Sequence, residues 1–228
     1  INSRFALNVL SQSAPWLARR TSIAYNAVTG PDEVVPPRET LDEPVRLMYM
    51  GRLSHRKGPH VLIDAVRLLK NRGRRVHLSL LGAVFPGNEA YEDALRAQVA
   101  ELGLADEVEL LGFRPSIWPT VADSDIVMIS SVVDEPFGNT AVEASLAARP
   151  LVVSDIAGLK EASGAATSAI RVQAGDPEAF ANAVETIAAD WQTWRAAAIS
   201  DATTVADAFS AEQYGKAFIA GCGLPPRS

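Results

Sequence analysis

Two carboxylates, Glu135 and Glu143, stand eight residues apart and bracket a Gly-containing turn within Asp134–Glu143. Carboxylates accept hydrogen bonds from paired hydroxyls, as on a hexose or a ribose. Gly138, Asn139 and Thr140 lie where a helix should open, and the backbone N–H groups there favour a phosphate or sugar oxygen. Upstream, Gly51–Gly58 offers Arg52 and Lys57 five residues apart, ahead of Pro59. A guanidinium grips phosphate oxygens bidentately and an ammonium acts as a point charge. Gly51 and Gly58 let the backbone approach closely. One segment suits hydroxyls and the other a diphosphate. A nucleotide-sugar carries both.

These residues need elements that bring them together. From Val45 the chain alternates strands and helices. Strands are expected at Val45–Met50, Val76–Leu81, Val108–Leu111, Ile126–Ile129, Leu151–Val153 and Ala169–Val172. Helices are expected at Pro59–Asn71, Ala90–Leu102, Ile117–Ala122, Thr140–Ala148, Pro177–Ala189, Trp194–Ile199 and Ala211–Ala220. That alternation implies an α/β fold, a doubly wound Rossmann-like parallel sheet with C-terminal helices. In strand order 3-2-1-4-5-6 the topological switch falls between the first and fourth strands, and ligands bind beyond the carboxyl ends there. Both motifs follow those two strands. Residues 1–44 read as an N-terminal segment and linker, with helix in Ile1–Arg20, a strand at Thr21–Asn26 and a Pro-rich loop at Gly30–Pro44. Residues 45–228 read as the Rossmann-like domain.

Each candidate has a plainer alternative. Arg52 and Lys57 suit a solvated turn as well as a phosphate. Thr140–Glu143 has the spacing of a capping box, in which Glu143 bonds back to its own helix. Phe113 and Arg114, after the third strand, could stack on or bond a base, or be a core Phe beside a loop Arg. The loop Ser154–Glu161 follows the fifth strand and is placed to close the crevice. His55, His60 and His77 are given no role, and Ser130 and Ser131 have no base nearby in sequence.

Composition narrows the classes. The net charge of −6 argues against a nucleic-acid partner. The single cysteine, Cys222, forms no intramolecular disulfide and fits a reducing, cytoplasmic location. No glycine fingerprint for a nicotinamide dinucleotide follows the first strand, and no Walker-type loop is present. No Cys/His set has metal-ligand spacing, so neither a metal nor another cofactor is expected.

With both motifs in hand, the chain resembles the C-terminal, donor-binding half of family 4 retaining glycosyltransferases of the GT-B fold. The residues that carry this are Tyr25–Val28, Gly51–Gly58, Leu111–Phe113, Glu135–Ala144 with its Glu-x7-Glu (EX7E) spacing, and Val152–Glu161. Ala27 and Ala157 stand where the family usually has Gly. The resemblance implies that Arg52 and Lys57 hold the donor diphosphate. It implies that Glu135 meets donor-sugar hydroxyls near the reacting carbon, and that Phe137, Gly138, Asn139 and Thr140 form the cradling turn. Glu143 would bind the ribose hydroxyls and Arg114 would sit near the base.

The implied reaction is transfer of a hexosyl group from a nucleoside-diphosphate sugar, UDP- or GDP-linked, to a hydroxyl acceptor with retention. A saccharide, lipid or small-molecule acceptor is expected on an N-terminal domain that this chain lacks, and any membrane contact would come largely through that half. The alternatives are a non-catalytic nucleotide-binding module and a GT-B epimerase or phosphorylase.

Overall fold

The computed structural model describes residues 1–223, so the end of the expected second unit, 224–228, lies outside it. Six strands form one parallel sheet: β1 (Val45–Met50), β2 (Val76–Leu81), β3 (Val108–Gly112), β4 (Ile126–Ile129), β5 (Leu151–Ser154) and β6 (Ala169–Val172). Their order is β3-β2-β1-β4-β5-β6. The assumed switch between β1 and β4 is therefore present, with Leu47 opposite Ile126 and Tyr49 opposite Met128.

Strand periodicity divides the apolar side chains between two cores, because successive residues point to opposite faces. Val45, Leu47 and Tyr49 of β1 join Leu78, Leu80 and Met128 under helices α3 (Pro59–Asn71) and α8 (Pro177–Ala189). Met48 and Met50 join Val127, Ile129, Leu151 and Val153 under α6 (Asn139–Leu146). Continuous apolar runs such as Ile126–Ile129 are what a strand covered on both faces requires. Around this frame lie α4 (Glu89–Glu101), α5 (Trp118–Ala122), α7 (Ala157–Ala162), α9 (Trp191–Ala208) and α10 (Ala211–Gly221). The N-terminal pair is α1 (Arg4–Ser13) and α2 (Pro15–Ala18). Among the described residues no helix is long and apolar enough to cross a membrane.

Three expectations need correction. Thr21–Asn26 is not a strand. It is not among the six strands of the sheet, and Ala24 N donates to Ile1 O rather than to a strand. Tyr25 instead packs on Phe137 and Phe209, with ring centroids 5.6 and 6.0 Å away. Ser154–Glu161 is not simply a loop, since α7 begins at Ala157. The helix after Trp191 runs 18 residues rather than the six expected at Trp194–Ile199. Its buried face is small and partly polar. Asp201 is 3% exposed there and accepts hydrogen bonds from Thr167 Oγ1, Ser168 N and Ser168 Oγ.

Arg149 shows how the β4–β5 side is held. Its side chain is fully buried and donates to the carbonyls of Val121, Ala122, Val35 and Ala147 at 2.8–3.0 Å. Those carbonyls include the ends of α5 and the residue after α6, where a cation complements the helix dipole. Burial lowers its pKa to about 10.

Candidate functional site

The two motif loops are stitched together. Ser130, at the end of β4, donates to the carbonyls of Lys57 and Gly58 at 3.1 and 2.9 Å. Val132 N donates to Arg56 O at 2.9 Å, and Arg56 Nη2 to Asp134 O at 3.0 Å. Gly58 adopts φ 66° as the residue before α3, with Pro59 at the first helical position. This brings the loop after β1 against the loop after β4 at the switch point. Lys57 Nζ is ion-paired with Glu135, which is 7% exposed and also accepts from Ser131 Oγ.

A cavity of about 530 Å³ opens beside these loops at the carboxyl ends of the strands. Its lining brings Gly51, Arg52, Arg114, Thr140 and Glu143 together with Phe85 and Phe113. Lys57, Glu135, Phe137, Gly138 and Asn139 are not on that wall. Phe137 is buried, its ring 5.5 Å from that of Phe209, and supports the turn from below. Gly138 is the N-cap of α6 at φ 116°. Asn139 accepts from Asn26 Nδ2 at 2.9 Å, which ties the Tyr-Asn segment to the site. The N-cap of α6 makes no side-chain hydrogen bond to the first-turn N–H groups, and of these Ala141 N donates to Gly138 O at 3.0 Å.

The capping-box alternative for Glu143 does not match the geometry. The helix begins at Asn139, so Thr140 is inside it, and the N-cap makes no side-chain hydrogen bond. Glu143 faces the cavity partly buried, and loss of water raises its pKa. The segment after β5 does not line the cavity. It acts through Asp134, whose carboxylate accepts from Ala157 N at 3.2 Å, and through Gly158, where a Cβ would meet Glu135 O at 2.1 Å. Among the described residues no group of three or more His, Cys, Asp or Glu could hold a metal ion.

Sequence reasoning missed Ser131 and Phe85. Ser131 precedes Glu135 by four residues, and only the turn of the chain after β4 reveals that they meet. Phe85 lay in a loop recognised for its place after β2, without a role for the ring.

The family model for group 1 glycosyl transferases matches residues 23–203. The chain belongs to the group 1 glycosyltransferase family. It is 35% identical over 166 residues to the lipopolysaccharide core biosynthesis glycosyltransferase LpsE of Rhizobium meliloti, covering 71% of this chain and 46% of that protein. It is 32% identical over 185 residues to the D-inositol 3-phosphate glycosyltransferase of Mycolicibacterium gilvum, covering 78% and 41%. The chain thus spans less than half the length of either relative. In structure it is similar to Anabaena Alr3699/HepE, solved with UDP and glucose, at TM-score 0.83 and 24% identity over 97% of this chain and 61% of that one. The six-stranded Rossmann-like domain is one shared with GT-B glycosyltransferases.

Proposed function

We propose that this chain is the donor-binding half of a family 4 retaining hexosyltransferase that takes a UDP-linked sugar. The observation that carries the reading is the joining of Arg52 and Glu143 on one cavity wall, beside the Lys57–Glu135 pair, at the switch between β1 and β4. Arg52 and Lys57 would hold the diphosphate and stabilise its charge as the glycosidic bond breaks. The amides at the start of α6 would add to this, so that preorganised dipoles supply the electrostatic stabilisation without a metal. Glu135 would orient donor-sugar hydroxyls and Glu143 the ribose. Arg114 and the apolar wall would receive the base. Retention and the hexosyl donor rest on the resemblance of Glu135–Ala144 to the family motif. UDP is chosen because HepE, the neighbour with TM-score 0.83, binds it. The acceptor would be bound chiefly by a further domain of a longer protein.

Calorimetric titration with UDP, GDP, dTDP and ADP in metal-free buffer tests this. The expected result is saturable UDP binding in preference to the others. Binding that needs a divalent ion, or no nucleotide binding at all, would overturn the assignment.

Glu143 supplies a second test. Its raised pKa means that the folded state holds the proton longer than the unfolded state does. Stability from this group is full below the ordinary carboxylate pKa and falls as pH rises through the raised folded value. Glu143→Gln is therefore expected to melt above wild type at pH 7 and level with it in acid. The same change should weaken UDP roughly tenfold, by loss of a charged acceptor. An unchanged affinity would show that Glu143 does not touch the ribose.

A further inference from the structure

The two cations of the site are held in different ways. Lys57 is already paired with Glu135. The Arg52 guanidinium has no carboxylate partner among the described residues, and its carbon lies 3.7 Å from the centroid of the Phe85 ring. Phe85 is 54% exposed, so the hydrophobic core gains little from it. The backbones beneath are locked. Tyr49 Oη donates to Arg52 O at 2.6 Å, Gly51 N to Leu81 O at 3.0 Å, and Leu53 N to Ala83 O at 3.0 Å. A Cβ on Gly82 would meet Gly51 O at 1.8 Å, so the loops after β1 and β2 are in direct contact. The ring and the guanidinium are therefore brought face to face by the fold.

We infer that Phe85 is a positioning residue for the diphosphate grip: its ring holds the Arg52 guanidinium at the cavity wall as a cation with no counter-carboxylate. The inference rests on the nucleotide-sugar reading of the site. A ring quadrupole attracts the cation without neutralising it. An arriving diphosphate then meets Arg52 without displacing a carboxylate, whereas Lys57 must first exchange Glu135 for phosphate. Arg52 is the standing cation of the site and Lys57 the exchanging one.

The test compares UDP with uridine, by calorimetry and NMR titration, on wild type, Phe85→Leu, Phe85→Trp, Arg52→Ala and the Phe85→Leu/Arg52→Ala double variant. The exposure of Phe85 makes these changes compatible with folding. Phe85→Leu is expected to weaken UDP roughly three- to tenfold, in line with a partly desolvated cation–π contact. Uridine affinity should not change, Phe85→Trp should retain UDP, and the Phe85→Leu effect should vanish in the Arg52→Ala background. A merely structural role for Phe85 would not depend on Arg52. Equal loss for uridine would mean that the ring stacks on the base, and unchanged UDP affinity would mean that it positions nothing. Either overturns the proposal while leaving the nucleotide reading intact. Failure of wild type to bind UDP, GDP, dTDP or ADP would overturn that reading, and the role of Phe85 with it.

Discussion

Glu135→Gln is expected to tighten UDP binding about threefold to tenfold while lowering sugar transfer by about a hundredfold or more. The opposite signs follow from the position of the carboxylate. Glu135 is almost buried, pairs with Lys57 and accepts from Ser131 Oγ. On the proposed reading it would compete with an arriving phosphate for Lys57 and add a like charge beside the diphosphate. Its removal frees the ammonium, so a ligand without the sugar binds better. With the sugar present, on the proposed reading, the same change would remove the acceptor that orients hydroxyls near the reacting carbon. Lys57→Ala should act in the other direction, weakening UDP by about 30-fold or more. It removes a cation and also leaves Glu135 uncompensated. UDP affinity is measured by titration of this chain, and transfer in a protein that also carries the proposed acceptor-binding domain. A fall in UDP affinity with Glu135→Gln would contradict the exchange of partners.

The strand–helix frame was legible because its signals are local. Val45–Met50, Pro59–Asn71 and Ile126–Ile129 each have the period and punctuation of their element, and alternation alone leads to the parallel sheet. Gly51, Arg52, Arg114, Thr140 and Glu143 could be assigned to one crevice because strand order places their loops together. What stayed hidden depends on distant neighbours. Thr21–Asn26 has a strand composition, but it pairs with no strand of the sheet, and Tyr25 packs on Phe137 and Phe209 instead. The length of α9 was masked because Asp201 interrupts its apolar face and is satisfied by Thr167 and Ser168, far away in sequence. The start of α1 is capped locally by Ser3, which accepts from Ala6 N, and also by Glu161, whose carboxylate accepts from Arg4 N and Phe5 N at 2.8 Å. No window around Arg4 contains Glu161.

Gly58→Ala should cost about 3 kcal/mol, read as a fall in Tm of roughly 6–12 °C for a domain of this size, and should abolish measurable UDP binding. Gly58 combines two demands that only glycine meets. Its φ of 66° is strained for a residue with a Cβ, and that Cβ would lie 2.1 Å from Ser130 O and 3.0 Å from Val132 Cγ1. Ser130 O belongs to the backbone at the end of β4, so relief requires the two motif loops to part. Parting them breaks the Ser130 hydrogen bonds to Lys57 O and Gly58 O and moves Lys57 away from Glu135. Gly73 is the control. It has φ 82°, but a Cβ added there would meet nothing within 4 Å. Gly73→Ala therefore bears only the backbone strain, about 1 kcal/mol, with UDP affinity kept. Equal losses for the two variants would show that conformation alone matters. A large loss at Gly58 only would show that contact between the loops after β1 and β4 assembles the site.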